Sequence, residues 1–395
     1  MRVAKVEPAI VNIPNLGEHE RPAGRNGVTA VLVRVETDTG LVGWGEGSVG
    51  ANAESVYEAV RAAVPFVIGH DPWSRQAIAD DFFTLGQWNS AWRPAGANYA
   101  YAGLDMALWD ICGQACGQPL YNLLGGRRRA EVDYYAYVPP GPPEQVAARC
   151  RDALARGYSV FYTKVGTDLD RELELVEAMR RVLGPKPKIR IDANCRWSFN
   201  EGLRNLARFD RFGIDFAEAP VPFEPLRNMV EIRSRQPVAI SANEGLGTVG
   251  SVWECIRARA CDVLCFSPFF VGTIADYHRL AHAAHLEGIR VCKHTHNETG
   301  IAAAAAHHIL LTLPNVVDGN QNSYDTLSDD VLVERLPIRS EPRWGAPRGA
   351  GLCIRVDEAK VRRFRDLFEK YGQYLPYRPE QLAAEEGPGS SGSSG

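Results

Sequence analysis

Three acids stand out by their spacing. Asp192, Glu218 and Glu244 lie twenty-six residues apart, one after the other. Each stands at or just beyond a short apolar run: Ile189–Asp192, Asp215–Glu218 and Val238–Ser241. That pitch is one strand plus one returning helix, so neighbouring parallel strands would deliver the three carboxylates to one place. Converging carboxylates repel each other and are costly to desolvate. A divalent cation relieves both penalties. Oxygen-only ligands select a hard ion, and Mg²⁺ keeps positions open for substrate oxygens. The expected cofactor is one Mg²⁺ per subunit. A single strand-end acid is more often a solvated carboxylate, and it is the equal pitch of all three that points to a metal.

Two further groups flank the trio. Lys164 ends the run Val160–Lys164, before the first acid, and His294 follows the run Arg290–Lys293, after the last. A carboxylate substrate held by the metal would lie between them. A metal can stabilise the enediolate that forms when the α-proton leaves, and a Lys or His can take that proton. A lysine beside a cation has a depressed pKa, which suits a general base near neutrality. The helix histidines His278, His282, His285, His307 and His308 read as structural.

The elements that must position these groups can be traced along the chain. Thr29–Glu36 and Leu41–Glu46 form a hairpin across Thr37-Asp38-Thr39-Gly40. Leu16–Asn26 reads as a polar loop. Ala53–Val67 and Asn98–Gly113 carry helical periodicity, with Asn98 as the expected N-cap of the second. After Arg129 strands and helices alternate. Strands are expected at Val132–Tyr137, Val160–Lys164, Ile189–Asp192, Asp215–Glu218, Val238–Ser241, Val263–Ser267, Arg290–Lys293 and Asn315–Asp318. Helices are expected at Pro143–Ala155, Leu169–Leu183, Phe199–Phe212, Leu226–Arg235, Val249–Arg259, Ile274–Glu287 and Gly300–Leu313. Right-handed crossovers make the sheet parallel, and eight strands can close a barrel. An open doubly wound sheet would normally show a glycine-rich nucleotide turn, and none is present. The expected fold is α/β: a modified TIM barrel, (β/α)7β, with an α+β capping domain. The expected boundaries are residues 1–130 for the N-terminal capping domain and 131–330 for the barrel. A C-terminal segment, 331–386, returns to the cap with a helix at Glu358–Tyr371, and 387–395 is a Gly/Ser tail.

Composition is that of a globular protein rather than a fibre or a disordered chain, with 45% apolar and 23% charged residues. A net charge of −4 does not suit nucleic-acid binding, and no apolar run reaches the length of a membrane span. The nine cysteines form no Cys-x-x-Cys pair, which fits reduced thiols in a cytoplasmic protein.

The motifs resemble the enolase superfamily in its mandelate racemase/muconate lactonizing enzyme branch. Gly40-Leu41-Val42-Gly43-Trp44-Gly45-Glu46 is similar to that branch's N-terminal hairpin. Asp105-Met106-Ala107-Leu108-Trp109-Asp110-Ile111-Cys112-Gly113, with Gly117, Pro119 and Leu123-Leu124-Gly125-Gly126, resembles its capping-domain helix and exit. Asp192-Ala193-Asn194, Glu218-Ala219-Pro220 and Ala242-Asn243-Glu244 resemble the metal-ligand motifs. Tyr162-Thr163-Lys164 stands where the family often has Lys-x-Lys, so the resemblance implies that Lys164 is a base and leaves Tyr162 as a hydrogen-bond donor.

Phe266-Ser267-Pro268-Phe269-Phe270 and Lys293-His294-Thr295-His296-Asn297 are similar to the glucarate dehydratase-like subgroup, which implies an acid/base role for His294. His296 would be a substitute for it and Asn297 a substrate contact. Ser267 stands where the family has an Asp that orients this histidine, or a Lys base in muconate-type enzymes. A serine cannot raise the basicity of His294 by charge. That weakens a two-base racemase and a Lys/Lys cycloisomerase more than a dehydratase, in which His294 would protonate a departing β-hydroxyl.

The resemblance thus implies a Mg²⁺-dependent lyase that turns an acid sugar into a 2-keto-3-deoxy acid. The alternatives are racemisation or epimerisation of an α-substituted acid, and cycloisomerisation. The partner would be a small carboxylate, with neither nucleic acid nor membrane involved, and the chain a homo-oligomer (dimer or octamer). Substrate walls are expected from Tyr137, Asn194, Asn320 and Gln321. Selectivity is expected from the Asn15–Asn26 and Gly47–Ala53 loops with Trp88 and Trp92, and Arg21, Arg25 and Arg93 are candidates for meeting a second carboxylate.

Overall fold

The computed structural model describes residues 1–16, 27–48, 52–85 and 95–374. The Gly/Ser tail lies outside that set, as do Trp88, Trp92, Arg21, Arg25 and Arg93, most of the Asn15–Asn26 loop and the middle of the Gly47–Ala53 loop.

The N-terminal region is a three-stranded antiparallel sheet with helices packed on it. Strands β1 (Val3–Pro14), β2 (Gly27–Thr37) and β3 (Val42–Gly47) are joined in that order. Helices α1 (Ala53–Val67), α2 (Arg75–Leu85), α3 (Ala95–Ala115) and the short α4 (Leu120–Leu123) follow. The glycines of the hairpin motif have a steric cause. A methyl group at Gly45 would lie 1.8 Å from the Gly103 carbonyl oxygen, and one at Gly43 would lie 2.2 Å from that of Ala107. Strand β3 therefore lies directly on the backbone of α3, an approach that only glycine permits.

Helix α3 begins three residues before the expected Asn98, and Asn98 is not its N-cap. The residue is fully buried inside the helix, and its Nδ2 donates to the carbonyls of Phe270 (2.9 Å) and Gly247 (3.2 Å). The amide joins cap to barrel where an N-cap was expected, because a buried helix start can use its polar side chain on a neighbouring domain. Asn98→Ala would orphan both carbonyls. The expected cost is about 1–3 kcal/mol, read from the urea midpoint.

The barrel runs through β4 (Glu131–Asp133), β5 (Ala136–Tyr137), α5 (Pro143–Ala155), β6 (Val160–Lys164), α6 (Leu169–Leu183), β7 (Lys188–Asp192) and α7 (Phe199–Asp210). It continues through β8 (Ile214–Glu218), α8 (Arg227–Arg235), β9 (Ile240–Ala242), α9 (Val249–Arg257), β10 (Val263–Phe266), α10 (Pro268–Val271), α11 (Ile274–Leu286), β11 (Arg290–Lys293) and α12 (Gly300–Thr312). Seven strands, β5 to β11, form one parallel sheet in chain order.

Three expectations are corrected here. The first strand is split: β4 pairs antiparallel with β12 (Arg343–Gly345), and only β5 joins the barrel. The eighth element is no regular strand. Residues 315–317 bond Val291 on β11, and Asn320 bonds Asp133 and Tyr135 beside β5, so an irregular segment with two isolated bridges closes the ring. The one-turn helix α10 was not foreseen, because four residues carry no periodicity. The final helix α13 (Glu358–Tyr371) packs on β1 and buries Phe364.

Carboxylates from the cap sit on the helix starts of the barrel. Asp105 accepts from the backbone N–H of Ile274 (2.7 Å), the first residue of α11. Glu46 accepts from the N–H of Thr299 (3.0 Å), the Thr299 hydroxyl (2.6 Å) and the N–H of Ala302 (3.2 Å) at the start of α12. An anion there satisfies orphan donors and meets the positive end of the helix dipole. Burial nevertheless pushes the Glu46 carboxyl up to about 8, against the pull of the Thr299 donors. The folded protein thus keeps a proton that the unfolded chain releases near 4.5. This contribution to stability is complete below about pH 4.5 and is lost as pH rises to about 8. Glu46→Gln is expected to flatten that part of the urea-midpoint profile against pH.

Candidate active site

The parallel register decides the geometry. Lys164 pairs with Asp192, and Asp192 with Glu218, so three charged residues form one rung across the ends of β6, β7 and β8. Glu244 lies two residues beyond β9. The four groups predicted from spacing are therefore brought to the C-terminal mouth of the barrel, where the fold places function.

The charges are compensated inside the chain. The Lys164 ammonium donates to Asp192 Oδ2 at 2.5 Å, and the Tyr162 hydroxyl donates to the same oxygen. The backbone N–H of Asn194 bonds Asp192 Oδ1 at 2.8 Å, and Asn194 Nδ2 bonds Glu244 Oε1 at 2.6 Å. Gln321 Nε2 bonds both oxygens of Glu218, at 3.0 and 2.8 Å. Burial and the nearby Asp192 charge push the Glu218 and Glu244 carboxyls above the usual range. Burial pulls Lys164 down, but Asp192 and Glu218 outweigh it and hold the ammonium above its ordinary pKa. The chain by itself thus reverses the depressed value expected for a lysine beside a cation.

Among the described residues no three His, Cys, Asp or Glu side chains are gathered in a metal-ligating arrangement. Each carboxylate is turned to its own donor instead. In chemical kind the set suits a divalent cation: three acids on consecutive strand ends, two with their charged forms disfavoured by burial and by each other.

His294 stands across the mouth. Its backbone N–H bonds Phe266 O, and its ring stacks on Phe270 at 5.4 Å. Its Nδ1 has no hydrogen-bond partner, and neither has the buried Ser267 Oγ on the neighbouring strand end. Burial, then His296, Lys164 and Lys293, hold His294 well below its ordinary pKa, so the ring is neutral. Phe266 is in register with Lys293, which makes Ser267 and His294 neighbours. Ser267→Asp is therefore expected to raise the His294 titration midpoint, followed by the ring-proton shifts in NMR.

The following turn is held from both sides. A buried ion pair joins Lys293 to Glu298, whose other oxygen accepts from the His296 N–H (2.7 Å) and the Thr295 hydroxyl (2.8 Å). Ser48, from the cap, meets His296 Nδ1 at 3.3 Å. These supports were not foreseen, since a Lys and a Glu five residues apart carry no periodic signal.

Two cavities share His294. One, of about 600 Å³, is lined by Lys164, Tyr162, Tyr137, Asn297, Gln321 and Asp325 among others. The other, of about 530 Å³, is lined by Glu244, Asn243, Tyr99, Glu224 and His296 among others. His296 and Asn297 thus face different chambers. Asn320, expected as a substrate wall, is fully buried: its Oδ1 accepts from the Lys293 N–H and its Nδ2 donates to Val317 O. It closes the barrel and lines neither chamber. Tyr162 and Gln321 line the first chamber but spend their polar groups on Asp192 and Glu218. Asp325 was missed because it lies several residues past the last strand end, in a turn.

Residues 145–360 match the family model described as enolase C-terminal domain-like, and residues 23–125 match the mandelate racemase/muconate lactonizing enzyme N-terminal domain. The chain belongs to that branch of the enolase superfamily. It is 31% identical over 355 residues to D-galactarolactone cycloisomerase of Agrobacterium fabrum, covering 85% of this chain and 91% of the relative. It is 29% identical over 287 residues to N-succinyl-L-Arg/Lys racemase of Bacillus cereus, covering 71% and 76%. The structure of that racemase superposes with a TM-score of 0.82 at 24% identity, over 92% and 98% of the two chains. A D-galactonate dehydratase family member of Catenulispora acidiphila is 26% identical over 382 residues, covering 86% and 85%. Among the described residues no helix is long and apolar enough to cross a membrane.

Proposed function

We propose that this chain removes the proton α to a substrate carboxylate with the help of Mg²⁺, and that the reaction is dehydration of an acid sugar to a 2-keto-3-deoxy acid. The observation that carries the reading is the rung of Lys164, Asp192 and Glu218 across three adjacent strand ends, with His294 on the far side of the same cavity.

Asp192, Glu218 and Glu244 would hold the metal. When bound, Mg²⁺ supplies positive charge that stabilises the enediolate. Lys164 takes the α-proton at Nζ. It must first lose its own proton, and its bond to Asp192 opposes that loss until the Asp192 charge is committed elsewhere. Gln321 keeps the Glu218 oxygens oriented, and Asn194 does so for Glu244. His294 faces the β-carbon side, where its ring N–H is the donor available to a leaving hydroxyl. Glu298 and Ser48 fix the turn that carries it.

One observation favours a second reading, racemisation or epimerisation: a neutral His294 can accept a proton as well as donate one. The two readings part on their products. Mg²⁺-loaded protein incubated in D₂O with pooled aldonates and other α-substituted acids, followed by proton NMR, is expected to give new 3-deoxy methylene signals. Deuterium at the α-carbon of recovered substrate or its epimer, without those signals, would replace dehydration by racemisation.

A further inference from the structure

The histidines on α11 and α12 do not share one role. On α12, His307 and His308 spend both ring nitrogens on the protein. His307 Nε2 donates to Gly345 O (3.0 Å), and its Nδ1 meets the Tyr134 hydroxyl (2.9 Å). His308 Nε2 donates to Leu352 O (3.1 Å), and its Nδ1 accepts from the Tyr121 N–H (3.3 Å). Both are structural.

On α11 the pattern differs. His278 and His282 stand four residues apart, so they share one face of the helix. Their ring centroids lie 4.3 Å apart. The His282 Nδ1–H donates to the backbone carbonyl of His278 at 2.9 Å. A carbonyl only accepts, so in the neutral ring of His282 the lone pair is on Nε2. His278 Nε2 is buried without a hydrogen-bond partner, a state that costs free energy until something meets it. Both residues as a whole are half-buried, so solvent reaches the pair. Burial and then His282 pull His278 down to about 4, which leaves its ring neutral near pH 7.

These are the features of a chelating pair. A ligating histidine characteristically gives its second ring N–H to a carbonyl, which fixes the ring and raises its basicity. Neutral imidazole is the form that binds. Imidazole suits Zn²⁺, Ni²⁺ and Cu²⁺, whereas Mg²⁺ takes oxygen ligands. Helix α11 therefore offers a kind of donor that the acids at the barrel mouth do not.

We propose that His278 and His282 form a second metal site, on α11, which takes one Zn²⁺, Ni²⁺ or Cu²⁺ ion through two imidazole nitrogens and completes its shell with water. It is separate from Asp192, Glu218 and Glu244, and the two sites sort ions by ligand type. An ion bridging one turn would stiffen α11, whose first N–H is held by Asp105 of the cap and which leads into β11.

The test titrates Ni²⁺ into the Mg²⁺-saturated full chain by calorimetry. The wild type is expected to bind Ni²⁺ at a site that Mg²⁺ does not fill. His278→Ala and His282→Ala are each expected to weaken that binding by at least about tenfold, the lower end of what losing even an indirect partner of a metal costs. Glu218→Gln, at the mouth, should leave it unchanged. A second measurement needs no variant: the electron paramagnetic resonance spectrum of the wild type with one equivalent of Cu²⁺ should show imidazole nitrogens bound to the ion. Absence of Ni²⁺ binding in excess Mg²⁺ overturns the inference. So does binding that Glu218→Gln removes and both histidine variants keep, or a Cu²⁺ spectrum without imidazole nitrogen.

Discussion

Loss of the α-proton is expected to slow by about 10³- to 10⁴-fold when Lys164 is replaced by methionine, the upper range for a positioned general base. Methionine keeps an unbranched stem over the Tyr162 ring, where the ammonium now lies 5.4 Å from the ring centroid, and removes only the atom that takes the proton. The effect should fall on kcat, with KM changed little, because the interaction is made as the proton moves. The same substitution takes a positive charge away from Asp192. Metal affinity should therefore be kept or improved, which separates a lost base from a collapsed site. Mg²⁺ titration by calorimetry checks this.

The second large effect is expected from the metal. Chelation should abolish turnover, and added Mg²⁺ should restore it. The ion should also raise stability, because it binds the folded chain and not the unfolded one. At a hundred times its Kd the gain is about 2.7 kcal/mol, visible as a shift in the urea midpoint. Glu218→Gln should remove most of this shift. Glu218 is buried to 1% exposure with its charged form disfavoured, so the variant without metal should be no less stable than the wild type without metal. A merely structural Glu218 would show the opposite pattern, with stability lost in both states.

Much of this architecture could be read in the letters, and the parts that could not have physical reasons. The helices Pro143–Ala155, Leu169–Leu183 and Glu358–Tyr371 end where the periodicity ends, since each is amphipathic and lies against a sheet or helix face. The strands β6 and β11 are short apolar runs between turns, and their bounds are those of the runs. The eighth barrel element was misread because two backbone bridges and the Asn320 amide do the work of a ladder. Asn98 was misread because a residue suited to a helix start is equally suited to a buried contact across domains. At the barrel mouth, strand-end logic gave the positions of Lys164, Asp192, Glu218, Glu244 and His294. It could not find Asp325, Glu298 or Ser48, which come from turns or from the other domain. Residue type alone also did not show that Tyr162 and Gln321 turn their polar groups to the acids.

The central claim is that the carbon–hydrogen bond next to a substrate carboxylate is broken at the Lys164 strand end with Mg²⁺ present. The most direct measurement is washout of label from aldonates carrying deuterium at the α-carbon. These would be incubated in ordinary water with Mg²⁺-loaded wild type and followed by mass spectrometry. The account predicts that the deuterium is lost in step with, or faster than, product formation, and that Lys164→Met retains it. Product that keeps the α-deuterium, or washout by Lys164→Met at the wild-type rate, would contradict it.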